Sequence, residues 1–116
     1  MRKGSLLNER DEVMVETVYK AERSLERMRG LLGRTLQPKE GFLLEPCNSV
    51  HTWFMSYPID VVFLNKRGII LKIVHSLGPW KMAASWTARA CLELPAGYVR
   101  EQGLSEGQYL LWGDGA

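Results

Sequence analysis

From Gly41 to the C-terminus, the chain is a series of short β-type segments separated by proline and glycine. The clearest turn lies in FLNKRGIIL, where Gly68 can adopt the positive φ that a type I turn with a bulge requires. This turn predicts a β-hairpin whose strands are IDVVFLN and IILKIVHSL. Many short strands joined by such turns are typical of a small, mainly β fold, and we expect an antiparallel β sandwich or barrel.

Alternating apolar residues predict further strands on both sides of this hairpin. VMVETVYKA, residues Val13–Ala21, is rich in the β-branched residues that favour strands. GFLLEP predicts a second strand and VHTWFM a third, in which Val50, Thr52 and Phe54 would share one face. The region before the hairpin is therefore expected to contribute three strands to the fold.

The region after the hairpin combines a loop, a strand and a helical turn. GPWKMAASWTA has no sustained period and is interpreted as a connecting loop. RACLELPAG predicts a strand that directs Ala90, Leu92 and Leu94 inward and leaves Cys91 and Glu93 on the opposite face. YVREQGL is long enough for one or two helical turns near the C-terminus, and QYLLW predicts a closing strand.

One segment before Gly41 has helical periodicity. In SLERMRGLLGR, Leu25, Met28 and Leu32 fall on one face, Ser24 can cap the beginning, and Gly33 can end the helix. We therefore predict one short N-terminal helix.

We expect the chain to consist of three parts. Residues 1–12 are a flexible leader, residues 13–112 a single compact β domain, and residues 113–116 a frayed tail.

The charge of the chain argues against a nucleic-acid partner. Its formal net charge is +2, whereas proteins that neutralise phosphates usually have a strongly basic domain or face. Residues 20–34 contain five cationic residues (Lys20, Arg23, Arg27, Arg29 and Arg34) and two acidic ones (Glu22 and Glu26). We interpret this segment as a solvated helix face.

Several features predict a cytoplasmic monomer. The sequence has no apolar run long enough for a transmembrane helix and no apolar stretch typical of a signal peptide, so we expect no membrane partner. Its two cysteines, Cys47 and Cys91, have no C-x-x-C spacing, and in a reducing compartment we expect both thiols to be free.

The segment CNSVHTWFMSYPID contains a thiol, an imidazole and a carboxylate within fourteen residues. Cys47 and His51 could be a nucleophile and its base, with Asp60 orienting the imidazole, or they could bind a metal ion. However, the chain has only two cysteines and two histidines and no nucleophile elbow. A small hydrolase or metal-dependent enzyme using Cys47, His51 and Asp60 therefore stays the alternative hypothesis, and we expect no catalytic residue, metal or cofactor.

The aromatic residues support a different interpretation. Trp53, Tyr57, Trp80 and Trp86 lie on or near predicted loops, and if they gather at one end of the sheet they form an apolar, stacking-competent surface. The alternative is that at least two of them pack in the core. We therefore expect a non-catalytic binding or accessory module for a small ligand or peptide. Its predicted ligand-binding residues are His51, Thr52, Trp53, Met55, Asp60 and Trp80. For Asp60 we also consider a structural role, in which its carboxylate accepts hydrogen bonds from loop amides.

Three segments carry a family resemblance: AERSLERMRGLLGR, GFLLEPCNSVHTWFMSYPIDVVFLNKRGIILKIV and ARACLELPAGYVREQGLSEGQ. Together they resemble domain of unknown function 192, also called uncharacterised protein family 0127, in the branch without an export signal. The resemblance implies a small, mainly β fold and no established reaction. The positions that match the family pattern are Arg29, Gly30, Gly33, His51, Thr52, Trp53, Met55, Asp60, Glu93 and Gly97. Where many members have Gly-Asp in the final turn, this chain has Gly107 and Gln108.

Overall fold

The computed structural model describes residues 1–21 and 36–114. Within these residues the protein is mainly β, with nine strands and one short helix. The strands are β1 (Arg2–Leu7), β2 (Val13–Ala21), β3 (Glu40–Leu44), β4 (Ser49–His51), β5 (Ile59–Leu64), β6 (Ile70–Leu77), β7 (Met82–Ala84), β8 (Ala90–Pro95) and β9 (Leu111–Asp114). The helix, α1, spans Tyr98–Glu101 between β8 and β9. The predicted N-terminal helix from Ser24 to Gly33 lies outside the described residues.

Seven of the strands form one mixed sheet, and the other two form a small separate sheet. The order of the large sheet is β6-β5-β8-β3-β2-β1-β9, and β4 pairs with β7 in the small one. All neighbouring pairs are antiparallel except β2 and β3, which run parallel. Two parallel strands cannot be joined by a tight hairpin turn, so β2 and β3 are not a hairpin.

The two outer strands of the large sheet approach each other at one corner without closing a barrel. Gly68 accepts a backbone hydrogen bond from Leu110 (2.8 Å), and the amide of Ile70 donates to Gln108 (2.9 Å). The amide of Gly107 also donates to the carbonyl of Ile70 (2.9 Å), and Ile69 and Tyr109 form an isolated β-bridge, but β6 and β9 are not adjacent strands of the sheet. The prediction of a mainly β fold is therefore confirmed, but the predicted barrel is not closed.

The middle of the large sheet is buried on both faces. All six residues of β5 are buried, and along it Val62 and Leu64 belong to one hydrophobic cluster while Ile59, Val61 and Phe63 belong to another. β8 is divided in the same way, because Leu92 and Leu94 lie in the first cluster and Cys91 in the second. The predicted alternation of β8 is thus correct, but its second face is also interior and buries Glu93.

The two termini contribute more structure than the sequence predicted. Residues 1–12 were expected to be a flexible leader, but Arg2–Leu7 pairs with β2 on one side and β9 on the other, and Leu6 is a core residue. Gly113 and Asp114, expected to belong to a frayed tail, are part of β9. Both differences have one cause: the two ends of the chain supply each other's strand partner.

The small sheet also differs from the prediction. VHTWFM was expected to be one strand, but β4 ends at His51 and the chain turns at Phe54, whose φ is +68°. Phe54 therefore leaves the face that it was expected to share with Val50 and Thr52, and it is exposed. The predicted 78–88 loop contains a short strand, β7, which is the partner of β4.

Candidate functional site

Thr52 joins the two loops that carry most of the predicted site. Its amide donates to the carbonyl of Lys81 (2.9 Å), and its own carbonyl accepts from the amide of Trp80 (3.0 Å). Its hydroxyl donates to the carbonyl of Gly78 and accepts from the amide of Lys81 (2.9 Å). Thr52 is completely buried, so it holds the loops together beneath the surface.

Above Thr52 lies an aromatic patch, which we define as His51, Trp53, Phe54, Trp80 and Met82. The rings of His51 and Trp53 are stacked with centroids 4.6 Å apart, and those of Phe54 and Trp80 meet edge to face at 4.8 Å. Met82 lies opposite His51 in the small sheet. The side chains of this patch are strongly solvent-exposed: Trp53 44%, Phe54 71%, Trp80 60% and Met82 63%. The patch is therefore an accessible apolar surface on the small sheet and its loops.

The backbone beneath the patch has an uncommon conformation. Phe54 and Trp80 have φ values of +68° and +61°, a region that bulky L-residues rarely adopt. Both residues lie next to bonds made by Thr52, whose carbonyl also accepts from the amide of Met55 (3.2 Å). Thr52 thus helps to fix a conformation that displays two aromatic rings.

Besides Thr52, two more of the predicted site residues lie inside the protein. Met55 is buried in the second hydrophobic cluster. Asp60 is completely buried, and its carboxylate accepts three backbone hydrogen bonds, from the amides of Ser76 (2.8 Å), Gly97 (3.0 Å) and Val99 (3.1 Å). Of the six predicted residues, the structure brings His51, Trp53 and Trp80 together at the surface, with Thr52 directly below them.

Phe54 and Met82 were missed by the sequence analysis. Strand alternation assigned Phe54 to an inward face, and Met82 was part of a loop without a period. The run of large apolar residues on both sides of Trp53 and Trp80 was the available signal. It could not be interpreted from the sequence, because core aromatic residues give the same pattern.

The catalytic grouping considered for Cys47, His51 and Asp60 gains no support from the geometry. The carboxylate of Asp60 is engaged by backbone amides, His51 stacks on Trp53, and the thiol of Cys47 donates to the carbonyl of Ser49 (3.1 Å). Within residues 1–21 and 36–114, no cluster of three or more His, Cys, Asp or Glu side chains could hold a metal ion.

A second group of titratable side chains lies in the interior. The neighbouring thiol of Cys47 and burial both raise the pKa of the Cys91 thiol. Burial raises the pKa of Glu93 to about 8, and the nearby Cys47 contributes to the shift. Burial also raises the pKa of Tyr57, with a smaller contribution from the charge of Glu93. Glu93 is thus an uncharged carboxylic acid at neutral pH.

A basic cleft of about 700 Å³ lies at the β5–β6 turn. It is open to solvent, and no acidic side chain lines it. Its lining residues are Asn65, Lys66, Arg67, Thr87, Ala88 and Arg89. This cleft is distinct from the aromatic patch, with which it shares no residue.

Two solved structures are similar to this fold. One is a proposed transcription regulator from Sinorhizobium meliloti 1021, with a TM-score of 0.80, 24% identity, and coverage of 95% of this chain and 92% of that chain. The other is a protein of unknown function from Novosphingobium aromaticivorans DSM 12444, with a TM-score of 0.76, 19% identity, and coverage of 95% and 84%. At these identities the likeness establishes the fold alone.

No curated protein matches the sequence. In the described part of the chain, no helix is long and apolar enough to cross a membrane. The sequence model of DUF192, described as Uncharacterized ACR, matches residues 6–112. Because this match covers nearly the whole chain, the protein belongs to the DUF192 family.

Proposed function

We propose that the protein is a non-catalytic binding module whose aromatic patch recognises an apolar peptide segment of another protein. The observation that carries this proposal is the exposure of Trp53, Phe54, Trp80 and Met82 on two adjoining loops. A soluble domain rarely leaves such side chains together at its surface unless they contact a partner.

The form of the patch favours a peptide over a small ligand. Small-molecule sites are usually concave and enclose most of the ligand, whereas Phe54 and Trp80 protrude from turns with most of their surface exposed. Tryptophan is enriched among the residues that dominate protein interfaces, and methionine adapts to irregular apolar partners. The patch therefore has the composition of an interface centre.

The charges near the patch indicate the chemistry of the partner. The segments that carry it, residues 47–59 and 78–92, contain no Asp or Glu but do contain Lys81 and Arg89. Lys81 is exposed between Trp80 and Met82. We therefore propose a segment with apolar side chains and at least one carboxylate, because such a segment complements the apolar surface and its cation.

The rigidity of the patch also supports recognition. Thr52 connects both loops through backbone and hydroxyl hydrogen bonds, and the aromatic rings pack in pairs. A surface that is already ordered loses less conformational entropy on binding.

Selection of phage-displayed random peptides that bind the full chain tests this proposal. Peptides that also bind a Trp53→Ala/Trp80→Ala double variant are first removed from the library. Enriched peptides should contain apolar residues and Asp or Glu, and a single Trp80→Ala change should weaken their binding at least about tenfold. Trp86→Ala is the matched control, because Trp86 is an exposed tryptophan outside the patch.

Three outcomes contradict the proposal. Peptides that bind the double variant as well as the unmodified protein place recognition elsewhere, and an Arg89→Ala variant then tests the basic cleft. Failure to enrich any peptide, combined with binding of small aromatic compounds that shift the Trp80 indole NMR signal, favours a small ligand. Unfolding of the double variant, measured by circular dichroism, would assign Trp53 or Trp80 to the core.

A further inference from the structure

The backbone brings the two cysteines together. Leu44 in β3 lies opposite Cys91 in β8, and after β3 ends the amide of Cys47 donates to the carbonyl of Arg89 (2.9 Å). Cys47 packs against the second hydrophobic cluster, which contains Cys91. Although the two cysteines are far apart in sequence, the fold thus places Cys47 beside the strand that carries Cys91.

The two thiols differ in their access to solvent. Cys91 is completely buried, whereas Cys47 is half-buried. A dissolved oxidant can therefore reach Cys47 before it reaches Cys91. This asymmetry is the arrangement that a reactive thiol and a resolving thiol require.

Glu93 gives this pair a suitable environment. It lies on the same strand as Cys91, is buried, and is close enough to Cys47 for the charge of each group to affect the other. In its neutral form Glu93 places no negative charge beside the sulfur atoms.

We propose that Cys47 and Cys91 form a reversible disulfide, for which a hydroperoxide is the oxidant. In the first step the sulfur of Cys47 attacks the peroxide, a sulfur–oxygen bond forms, the oxygen–oxygen bond breaks, and the alcohol or water leaves with a proton. In the second step the sulfur of Cys91 attacks the sulfenic sulfur of Cys47, a sulfur–sulfur bond forms, the sulfur–oxygen bond breaks, and the hydroxyl group leaves as water with the proton of the Cys91 thiol. Two thiols and one hydroperoxide thus give one disulfide, one alcohol (water when the oxidant is hydrogen peroxide) and one water, and the two electrons go to the peroxide.

Mass spectrometry of the full chain after treatment with hydrogen peroxide and then iodoacetamide tests the proposal. The intact protein should lose two hydrogens and resist alkylation, and dithiothreitol should restore both thiols. The tryptic peptides 40–66 and 90–100, which contain the two cysteines, should be joined by a disulfide. The disulfide should form at least about tenfold more slowly in urea, because unfolding separates the thiols.

Single substitutions separate the two roles. Cys91→Ser should leave a sulfenic acid on Cys47 that dimedone traps, whereas Cys47→Ser should leave Cys91 reduced because it is buried. The proposal is overturned if the oxidised protein contains sulfinic acid without a linked peptide pair, if disulfides form only between two chains, or if both thiols remain alkylatable. Equal rates in native buffer and in urea would also overturn it.

Discussion

Phe54 and Trp80 meet edge to face with ring centroids 4.8 Å apart, and both residues have positive φ. They belong to different loops, and Thr52 connects these loops through the amide of Trp80 and the amide of Met55. Both rings are exposed, so the pair contributes little to the hydrophobic core, and both residues have a left-handed backbone conformation. This relationship is therefore better explained by presentation of the rings than by stability.

Because Phe54 has a left-handed backbone conformation, we predict that glycine is more stable than alanine at this position, which is the reverse of their usual order. Phe54→Gly should be more stable than Phe54→Ala by about 1 kcal/mol, because glycine adopts positive φ without the steric cost that Cβ imposes. Both changes remove the same exposed ring, so the difference reports the backbone. Urea denaturation monitored by fluorescence measures it.

Trp53 provides the control, because it is an adjacent exposed aromatic residue that is not among the positive-φ residues. Trp53→Gly should be no more stable than Trp53→Ala. If alanine is also the more stable residue at position 54, backbone strain at Phe54 does not contribute measurably to stability.

Local patterns were sufficient to predict much of the large sheet. The bounds of β2 match the predicted Val13–Ala21, and the β5–β6 hairpin turns at Gly68, whose φ is +84°. In this turn the carboxamide oxygen of Asn65 accepts from the amides of Arg67 and Ile69. These elements depend on residues close in sequence, and for that reason the sequence pattern identified them.

The parts that were missed depend on distant partners. β1 pairs with β9, which is distant in sequence, as well as with β2, and Thr52 beside the turn at Phe54 bonds to the loop around Lys81. Amide donors to Asp60 were expected, but not that they come from β6, Gly97 and α1. A single sequence contains no direct signal for such contacts, so it indicated the aromatic residues of the site but not which of them reach the surface.

Gly68 holds the corner where the outer strands of the large sheet approach each other. A Cβ at this position would lie 2.6 Å from the carbonyl oxygen of Leu110. The carbonyl of Gly68 also accepts a hydrogen bond from the amide of Leu110. Gly97 has a similar φ of +89° but no atom within 4 Å of the same position. Gly97→Ala should therefore cost about 1 kcal/mol of unfolding free energy from backbone strain, and Gly68→Ala at least about twice as much. Equal losses in chemical denaturation would show that the corner can move apart freely.

Asp60 stabilises the end of the sheet through its three backbone hydrogen bonds. Asp60→Asn replaces one carboxylate oxygen by an NH₂ group that cannot accept from these amides, and it leaves buried donors without a partner. We expect a loss of about 3 kcal/mol in the free energy of unfolding. Asp114→Asn is the matched control, because Asp114 also accepts hydrogen bonds, from Arg2 and Trp112, but at an exposed position. A comparable loss for the two variants would contradict a special role for the buried carboxylate.

The raised pKa of Glu93 predicts that the protein becomes less stable as pH rises, which is opposite to the effect of an ion-paired carboxylate. Its pKa is raised from 4.5 to about 8 in the folded protein, so between these values the unfolded chain ionises while the folded protein keeps its proton. The contribution of Glu93 to the free energy of unfolding should therefore be greatest below pH 4.5. Between pH 4.5 and the folded-state pKa, this contribution should fall by about 1.4 kcal/mol per pH unit. Glu93→Gln cannot ionise and should lack this contribution. The test is urea denaturation of both proteins between pH 5 and pH 8, because the difference in their unfolding free energies cancels the other titrating groups. A difference that does not change with pH would mean that Glu93 is already ionised in the folded protein.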